Sequence, residues 1–438
     1  MSKRQHAHFN RNISINGVNV GGMTTTEAVS ALQNVKWSNK IYVGSDLVVS
    51  GKSTKSSFSN ADLNAVSNLQ KKQYTFFPSS KKKDYQLKPQ KISSYRTGTL
   101  KNQLRNRLVA LNANRTKAQD AYAVMRNGSV KIIPAKKGNQ YNVAAIMKEY
   151  NKRHFDSEIH LSKVILQPLS ANSSKIKNDK SKLEDLASHS IEYKVQNKTY
   201  NIKAKDVFDE VTYRDGQYSY NTKNLKKEIS SINKKQATLH KNYRFKMPTG
   251  KTVTVPGVSY GWALSDTKAE KTIANALINN KKTVDAKPDI YGLGYNTGGT
   301  GYDNLSNDGI GKTYAVISIS QQRAWLYRNG KQVYAFNVVT GKHSTGEDTP
   351  RGVFYIMYKQ SPSVLRGSES GAGSYSQPVQ YWAQFTGSGC GFHDASWRTN
   401  WSSSAYLTDG SGGCANTQPS DMPTVYKNLS QNEPVIVY

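Results

Sequence analysis

The sequence predicts a multidomain chain, with two repeated α+β modules followed by a mostly-β C-terminal domain, and three observations support this. The chain has 438 residues, and roughly 100–200 residues per domain suggests about three domains. Two stretches about 120 residues apart share a pattern of strand, glycine turn, strand ending at proline, then helix. From Lys312 onward the texture changes to short β-branched runs separated by turn residues.

At the N-terminus, Ile15–Leu32 reads as a short strand and a Gly-Gly turn leading into a helix. Thr24 or Thr25 is its N-cap, and Glu27 stands three residues after Thr24, as in a capping box. The repeated stretches are Ala121–Ala135, turning at Asn127-Gly128, and Asn242–Gly257, turning at Thr249-Gly250. Helical patterns follow near Val143–Tyr150 and Thr267–Ile278. These readings make residues 1–50 the opening of the first module, 51–170 its body and 183–291 the second module. The polar stretch Ser170–Lys182 is the joint between them. Residues 292–311, rich in Gly, Asn, Asp, Ser and Thr, read as an exposed flexible linker.

In the last domain, 312–438, the expected strands are Thr313–Ile319, Arg323–Tyr327, Val333–Val339, Gly352–Met357 and Pro434–Tyr438. A hairpin turns at Asn329-Gly330, and one helix falls near Met422–Asn428. The Ser-, Gly- and Tyr-rich stretch Lys359–Trp382 reads either as a flap over a groove or as a plain surface loop.

Hydrophobic residues make up 36% of the chain, but aromatics reach 10%, including 27 tyrosines. Disordered chains are poor in aromatics, so this composition fits a folded protein with a polar surface. No run approaches the ~18 apolar residues of a membrane span, and Met1–Arg11 has no apolar core of a secretory signal.

The formal net charge is +31. Residues 312–438 hold 10 Lys+Arg and 7 Asp+Glu (10 − 7 = +3), which leaves 51 − 23 = +28 on the first 311 residues. Such a charge reads either as a highly soluble basic surface or as one that attracts polyanions: nucleic acid, anionic lipid or anionic wall polymers. Nucleic acid is disfavoured because no helix-turn-helix, zinc-finger or RNA-binding signature accompanies the charge.

There are two cysteines, Cys390 and Cys414. They are too few for a disulfide scaffold and lack the paired Cys/His spacing of a metal site. One reading joins them in a disulfide; another makes one a reactive thiol, and the neighbours favour this for Cys414. It lies in Ser411-Gly412-Gly413-Cys414-Ala415-Asn416, where small residues bring the sulfur close to backbone N–H groups able to hold an oxyanion. A thiol needs a base or a positive neighbour to become a strong nucleophile, and His393 lies upstream in Gly391-Phe392-His393-Asp394. Trp397 and Trp401 read either as cleft-lining residues or as core aromatics.

On these residues, Lys312–Tyr438 resembles the L,D-transpeptidase catalytic domain of the YkuD family. That family's signature is a histidine followed at a distance by S/T-H-G-C-x-N. His393, Ser411, Gly413, Cys414 and Asn416 occupy the matching positions. Gln321–Trp325, Val339-Thr340-Gly341 and Thr349–Phe354 fit as well. The chain departs from the signature at Gly412, where the family has histidine. The two modules resemble the peptidoglycan-binding domains that precede this domain in some Gram-positive proteins.

The resemblance implies a sandwich-like catalytic fold and an extracellular cysteine acyltransferase of cell-wall biosynthesis and shape. Cys414 would be the nucleophile and His393 the base, oriented by the Asp394 carbonyl. Gly413 and Cys414 N–H would hold the oxyanion, and Ser411 and Asn416 would shape the loop. The donor would be a tetrapeptide stem of peptidoglycan, and no cofactor or metal would be required. Membrane contact would come only through an anchor that the family carries and this sequence lacks. Other readings stay open: a wall-binding protein impaired at Gly412, an L,D-carboxypeptidase, a polyanion-binding protein driven by the basic modules, or a sortase-like enzyme, for which no arginine pattern follows Cys414.

Overall fold

The computed structural model describes residues 6–73, 78–369 and 373–438. The chain divides into two compact units, Met1–Tyr122 with Ile132–Asn178, and Ala123–Lys131 with Asp179–Tyr438.

In the first unit the capping box forms as the sequence predicts. The Thr24 side chain accepts from Glu27 N–H, Glu27 reaches back to Thr24 N–H, and the helix Thr25–Asn34 follows. Its Ala28, Val29 and Leu32 are buried with Ile13, Ile15 and Val66. A second core gathers Ile41 and Val43, Leu100, Leu104 and Leu108 of the helix Thr99–Ala113, and Ile146 of the helix Val143–Arg153.

The second unit begins with a hairpin that the sequence had assigned to the first module. The strands Tyr122–Arg126 and Ser129–Ile133 join Glu210–Arg214 and Gln217–Asn221 in one four-stranded sheet, with Val211 opposite Met125. Both residues are fully buried, so the hairpin supplies apolar surface to this core. Its sequence counterpart, Asn242–Lys246 with Thr252–Pro256, forms a separate two-stranded ribbon. The two look-alike hairpins thus occupy different settings. The polar joint is helical from Ser174 to Ser188, burying Leu183 and Leu186.

Residues 292–311 are not the exposed linker expected. Tyr302 and Ile310 are buried in two different cores. Asn296 N–H donates to the Tyr355 hydroxyl, which donates to Leu293 O. Glycine content suggested flexibility, but here glycines permit close approach. Gly301, at φ +71°, has the Tyr260 hydroxyl so near that a Cβ would sit 2.4 Å from it.

The C-terminal domain is a nine-stranded mixed sheet. In chain order its strands and the adjoining ribbon are β1 (Tyr314–Ser318), β2 (Arg323–Arg328), β3 (Lys331–Val339), β4 (Gly352–Tyr355), β5 (Tyr358–Gln360), β6 (Ser363–Glu369), β7 (Gly373–Val379), β8 (Trp382–Gln384), β9 (Gly391–Asp394), β10 (Ala415–Thr417) and β11 (Pro434–Val437). The sheet order is β4-β11-β1-β2-β3-β10-β9-β8-β5, while β6 and β7 pair only with each other. The β1–β11 and β9–β10 pairs are parallel.

Alternation along β1 sends Ala315 and Ile317 into one core and Val316 into another. The second core also takes Tyr243, Phe245 and Val255 from the ribbon 242–256, so this ribbon packs on the C-terminal sheet. The Asn329-Gly330 turn has positive φ at both residues, as its type requires. The helix Met422–Asn428 lies where the sequence placed it.

Candidate active site

The Ser411–Cys414 turn is built by hydrogen bonds from three separated stretches. Gln322, buried and at φ +49°, clamps Thr340: its amide donates to Thr340 Oγ1 and its carbonyl oxygen accepts from Thr340 N–H, both at 2.8 Å. Thr340 O accepts from Ser411 N–H, and Ser411 O accepts from Lys342 N–H. Thr349 Oγ1 accepts from Gly341 N–H and donates to Gly413 O at 2.8 Å. The motif stretches 321–325, 339–341 and 349–354 are therefore the scaffold of the Ser411–Cys414 turn. Gly341 must be glycine here, because a Cβ would meet Glu347 O at 1.8 Å.

Within the turn, Ser411 Oγ donates to Cys414 O at 2.6 Å and accepts from Gly413 N–H at 3.1 Å. Ser411 thus ties both ends of the turn to its own hydroxyl. The Gly413 N–H, expected to face an oxyanion, is directed instead to Ser411, because the turn closes on itself. Gly413 has φ +122°, and a Cβ there would lie 2.9 Å from Cys390 Sγ. Gly412 is exposed, with an ordinary φ.

Period-2 alternation places the side chains. In the β9–β10 register Phe392 faces Ala415 and His393 faces Asn416. Phe392 and Ala415 are fully buried in the core, so His393 and Asn416 share the opposite face. His393 and Cys414 line one cavity of about 300 Å³, together with Gly412, Asn416 and Lys342. The partly exposed Cys414 thiol donates toward Gly389 O at 3.8 Å. Cys390 belongs to the core cluster on the other side; the two cysteines are not bonded, and burial raises the Cys390 thiol pKa.

The hydrogen-bond pattern around His393 fixes its tautomer. Nδ1 lies 2.9 Å from Asp394 O, an acceptor only, so Nδ1 carries the proton. The surrounding donors set the Asn416 amide with Oδ1 toward Arg398 Nε (3.0 Å) and Nη2 (3.1 Å), so Nδ2 donates to His393 Nε2 at 3.0 Å. Nε2 therefore carries the ring's lone pair, and in this structure that lone pair accepts from the Asn416 amide. The ring is 2% exposed, stacked on Trp397 at 5.7 Å and flanked by Trp382 at 5.9 Å. This burial pushes its pKa down to about 4, against the opposing pull of the Asp394 carbonyl bond. The Asp394 carboxylate accepts from Gln380 and Tyr381 N–H, tying the start of β8 to the histidine strand.

Two residues here escaped the sequence reading. Arg398, its side chain almost buried, bonds Asp409 O at 2.5 Å as well as Asn416. Trp382 donates from its indole to the Tyr358 hydroxyl. Neither belongs to the motif; an arginine five residues after the proposed base was the one available hint. Trp397 lines the cavity, whereas Trp401 donates to Arg398 O. The stretch 359–382 forms the β6–β7 ribbon, whose Leu365, Tyr375 and Gln377 line the same cavity as Cys414. Its central residues, 370–372, lie outside the described part.

These features define a mixed-sheet domain with a cysteine and a histidine facing one cleft. Residues 312–437 match the model of the L,D-transpeptidase catalytic domain, YkuD, and the chain belongs to that family. Residues 177–285 match a family of proposed peptidoglycan-binding domains. Among solved structures, an Enterococcus faecium L,D-transpeptidase determined as a cysteine-to-serine mutant is 26% identical, with 59% of this chain and 98% of that one covered at a TM-score of 0.46. The catalytic domain of E. faecium L,D-transpeptidase is 34% identical over 29% of this chain and 96% of that one, at a TM-score of 0.27. A Mycobacterium smegmatis L,D-transpeptidase is 23% identical over 29% and 58%, at a TM-score of 0.26. No curated protein matches the chain. No helix among the described residues is long and apolar enough to cross a membrane.

Proposed function

We propose that the chain cross-links peptidoglycan through a Cys414 thioester formed on a tetrapeptide stem. The observation that carries this reading is that a neutral His393 imidazole and the partly exposed Cys414 thiol line one cavity.

Nε2 exchanges its bond from the Asn416 amide for the thiol proton as sulfur attacks the carbonyl carbon of the third stem residue, a diamino acid in L configuration. Cys414 N–H stabilises the oxyanion, and Gly413 N–H joins it when Ser411 releases it. The C–N bond to the terminal D-residue breaks, and the imidazolium gives its proton to the leaving amine. An acceptor amine on a neighbouring stem then attacks the thioester and gives a proton to Nε2. The C–S bond breaks, and the sulfur recovers the proton as thiol. One amide bond is exchanged for another, a free D-amino acid is released, and no cofactor takes part. Asn416 and Arg398 hold the ring in the reactive tautomer. The Gly412 departure leaves these contacts intact, which favours an active enzyme over an impaired one.

The site of action is the outer face of a bacterial envelope, where the substrate lies. The domain at 177–285 holds the chain to wall glycan, and the basic first 311 residues add attraction to anionic wall polymers.

The test incubates full-length protein with disaccharide-tetrapeptide and follows the products by mass. The wild type should release the terminal D-residue and form dimers, and Cys414→Ala should do neither. Identical product profiles for the two proteins would sink the reading. Tripeptide without dimer would make water the acceptor and the enzyme a carboxypeptidase.

A further inference from the structure

The cleft contains a cation that the chemistry above leaves unused. Lys342 lines the same cavity as Cys414 and His393. Its backbone is fixed against the catalytic turn: its N–H donates to Ser411 O at 2.8 Å, and its carbonyl accepts from Glu347 N–H at 3.0 Å. Gly410 packs so closely that a Cβ there would lie 2.5 Å from both the Lys342 N and Cα. The root of the side chain is therefore held in register with the nucleophile's loop.

The nearby carboxylates are engaged elsewhere. Asp409 pairs with Arg398 at 3.5 Å, Asp348 pairs with His343 at 3.0 Å, and Glu347 accepts from the Thr345 hydroxyl. Among the described residues, Lys342 takes part in no ion pair. Arg398, the other cation of the cleft, is committed to Asn416 and Asp409. Glycine at 412 adds no side chain beside Cys414. The cleft thus offers one lysine, half-buried as a residue, that forms no ion pair among the described residues.

We propose that Lys342 is a specificity-determining residue that receives a carboxylate of the donor stem. This rests on the peptide-donor reading above. The α-carboxylate of a leaving terminal residue lies three bonds from the attacked carbonyl carbon, within about 4 Å of it, so it must enter the cleft beside Cys414. An ammonium there favours a free carboxylate over an extended or capped stem. A side-chain carboxylate on the third stem residue is the other source of the same chemistry.

The decisive experiment measures equilibrium binding of tetrapeptide donors to the full-length Cys414→Ala protein, where no turnover intervenes. It adds Lys342→Met and, separately, Lys342→Arg. Three donors are compared: a free-acid tetrapeptide with lysine third, the same peptide amidated at its C-terminus, and a free-acid tetrapeptide whose third residue carries a side-chain carboxylate. Losing one charge-assisted bond predicts about tenfold weaker binding of the free-acid donor to Lys342→Met, no loss with the amidated donor, and recovery with Lys342→Arg. A loss confined to the third donor assigns the contact to the side-chain carboxylate. Equal loss for all donors, or none, overturns the proposal. In the active background the same substitution should raise KM while leaving kcat within about threefold. Donor binding that depends on Lys342 in a protein that never releases the D-residue would sink the transpeptidase reading and leave this one standing.

Discussion

Residues 312–438 carry 10 basic against 7 acidic side chains, whereas the preceding 311 carry 51 against 23. The two regions use their residues differently. In the C-terminal domain a few atoms must meet within tenths of an ångström, and Gln322, Thr340, Thr349, Asn416 and Arg398 are spent on that alignment. Attraction of a basic surface to a polyanion depends on a sum of charges, and single positions matter little. Substitutions in the first region should therefore act steeply and singly, and those in the second weakly and additively.

The sharpest test of that contrast is His393→Ala. Loss of a general base predicts a fall in kcat/KM of about 10²–10⁴, read with soluble disaccharide-tetrapeptide, with co-sedimentation on intact wall unchanged. A fall below tenfold would remove His393 from the chemistry. Next, Arg398→Lys gives up the paired contact with Asn416. Loss of a charged hydrogen bond of about 1.5–3 kcal/mol predicts roughly ten- to hundredfold lower kcat. An unchanged rate would show that the Asn416 amide needs no such brace.

Gly413→Ala should cost about 1–2 kcal/mol of stability from its positive φ alone, and contact with Cys390 Sγ adds to this. The double substitution with Cys390→Ala should recover the contact part and leave the φ part. Thermal unfolding of the three variants separates them, and equal melting temperatures for wild type and Gly413→Ala would refute the strain.

In the basic region, Lys226, Lys227, Lys234 and Lys235 lie on the helix Lys223–Gln236. Replacing all four with Gln should weaken co-sedimentation with teichoic-acid-bearing wall a few-fold, with most of the wild-type advantage lost at high salt. Turnover of a soluble donor should not change. Salt-independent binding would point to glycan recognition instead of charge.

The same contrast explains what could be read in advance. The strands β1, β2, β3, β4 and β11 alternate against buried cores, and their apolar pattern announces them. The β6–β7 ribbon does not: β7 is exposed along most of its length, so Ser, Gly and Gln suffice and no pattern marks it. Cys414 and His393 stood out because a motif surrounds them. Arg398 and Trp382 reach the histidine only through the fold, from a loop and from a neighbouring strand. The stretch 292–311 misled because glycine serves tight packing as readily as flexibility; Tyr302 and Ile310 were the clue. The hairpin 122–133 misled for a different reason, since its strand partners lie far along the chain and no local signal names them.

The smallest predicted effect concerns protons at His393. Burial between Trp382 and Trp397 lowers the imidazole pKa from its ordinary value near 6.5 to about 4. Above pH 4 the ring is therefore neutral and Nε2 can accept a proton, so the acid limb of kcat/KM set by this group should lie near pH 4. The folded state binds fewer protons than the unfolded one between these values. Its stability contribution is thus fully present above about pH 6.5 and is lost as pH falls toward 4. Trp397, 45% exposed, is the cover that can be removed without opening the core. In Trp397→Ala, water reaches the ring and the acid limb should move up toward pH 6. At pH 8 the imidazole is neutral in both proteins, so rates there should differ by only a few-fold. A limb that stays near pH 4 in the variant would mean that the Asn416 contact and Trp382, without the stacked indole, are enough to hold the proton off.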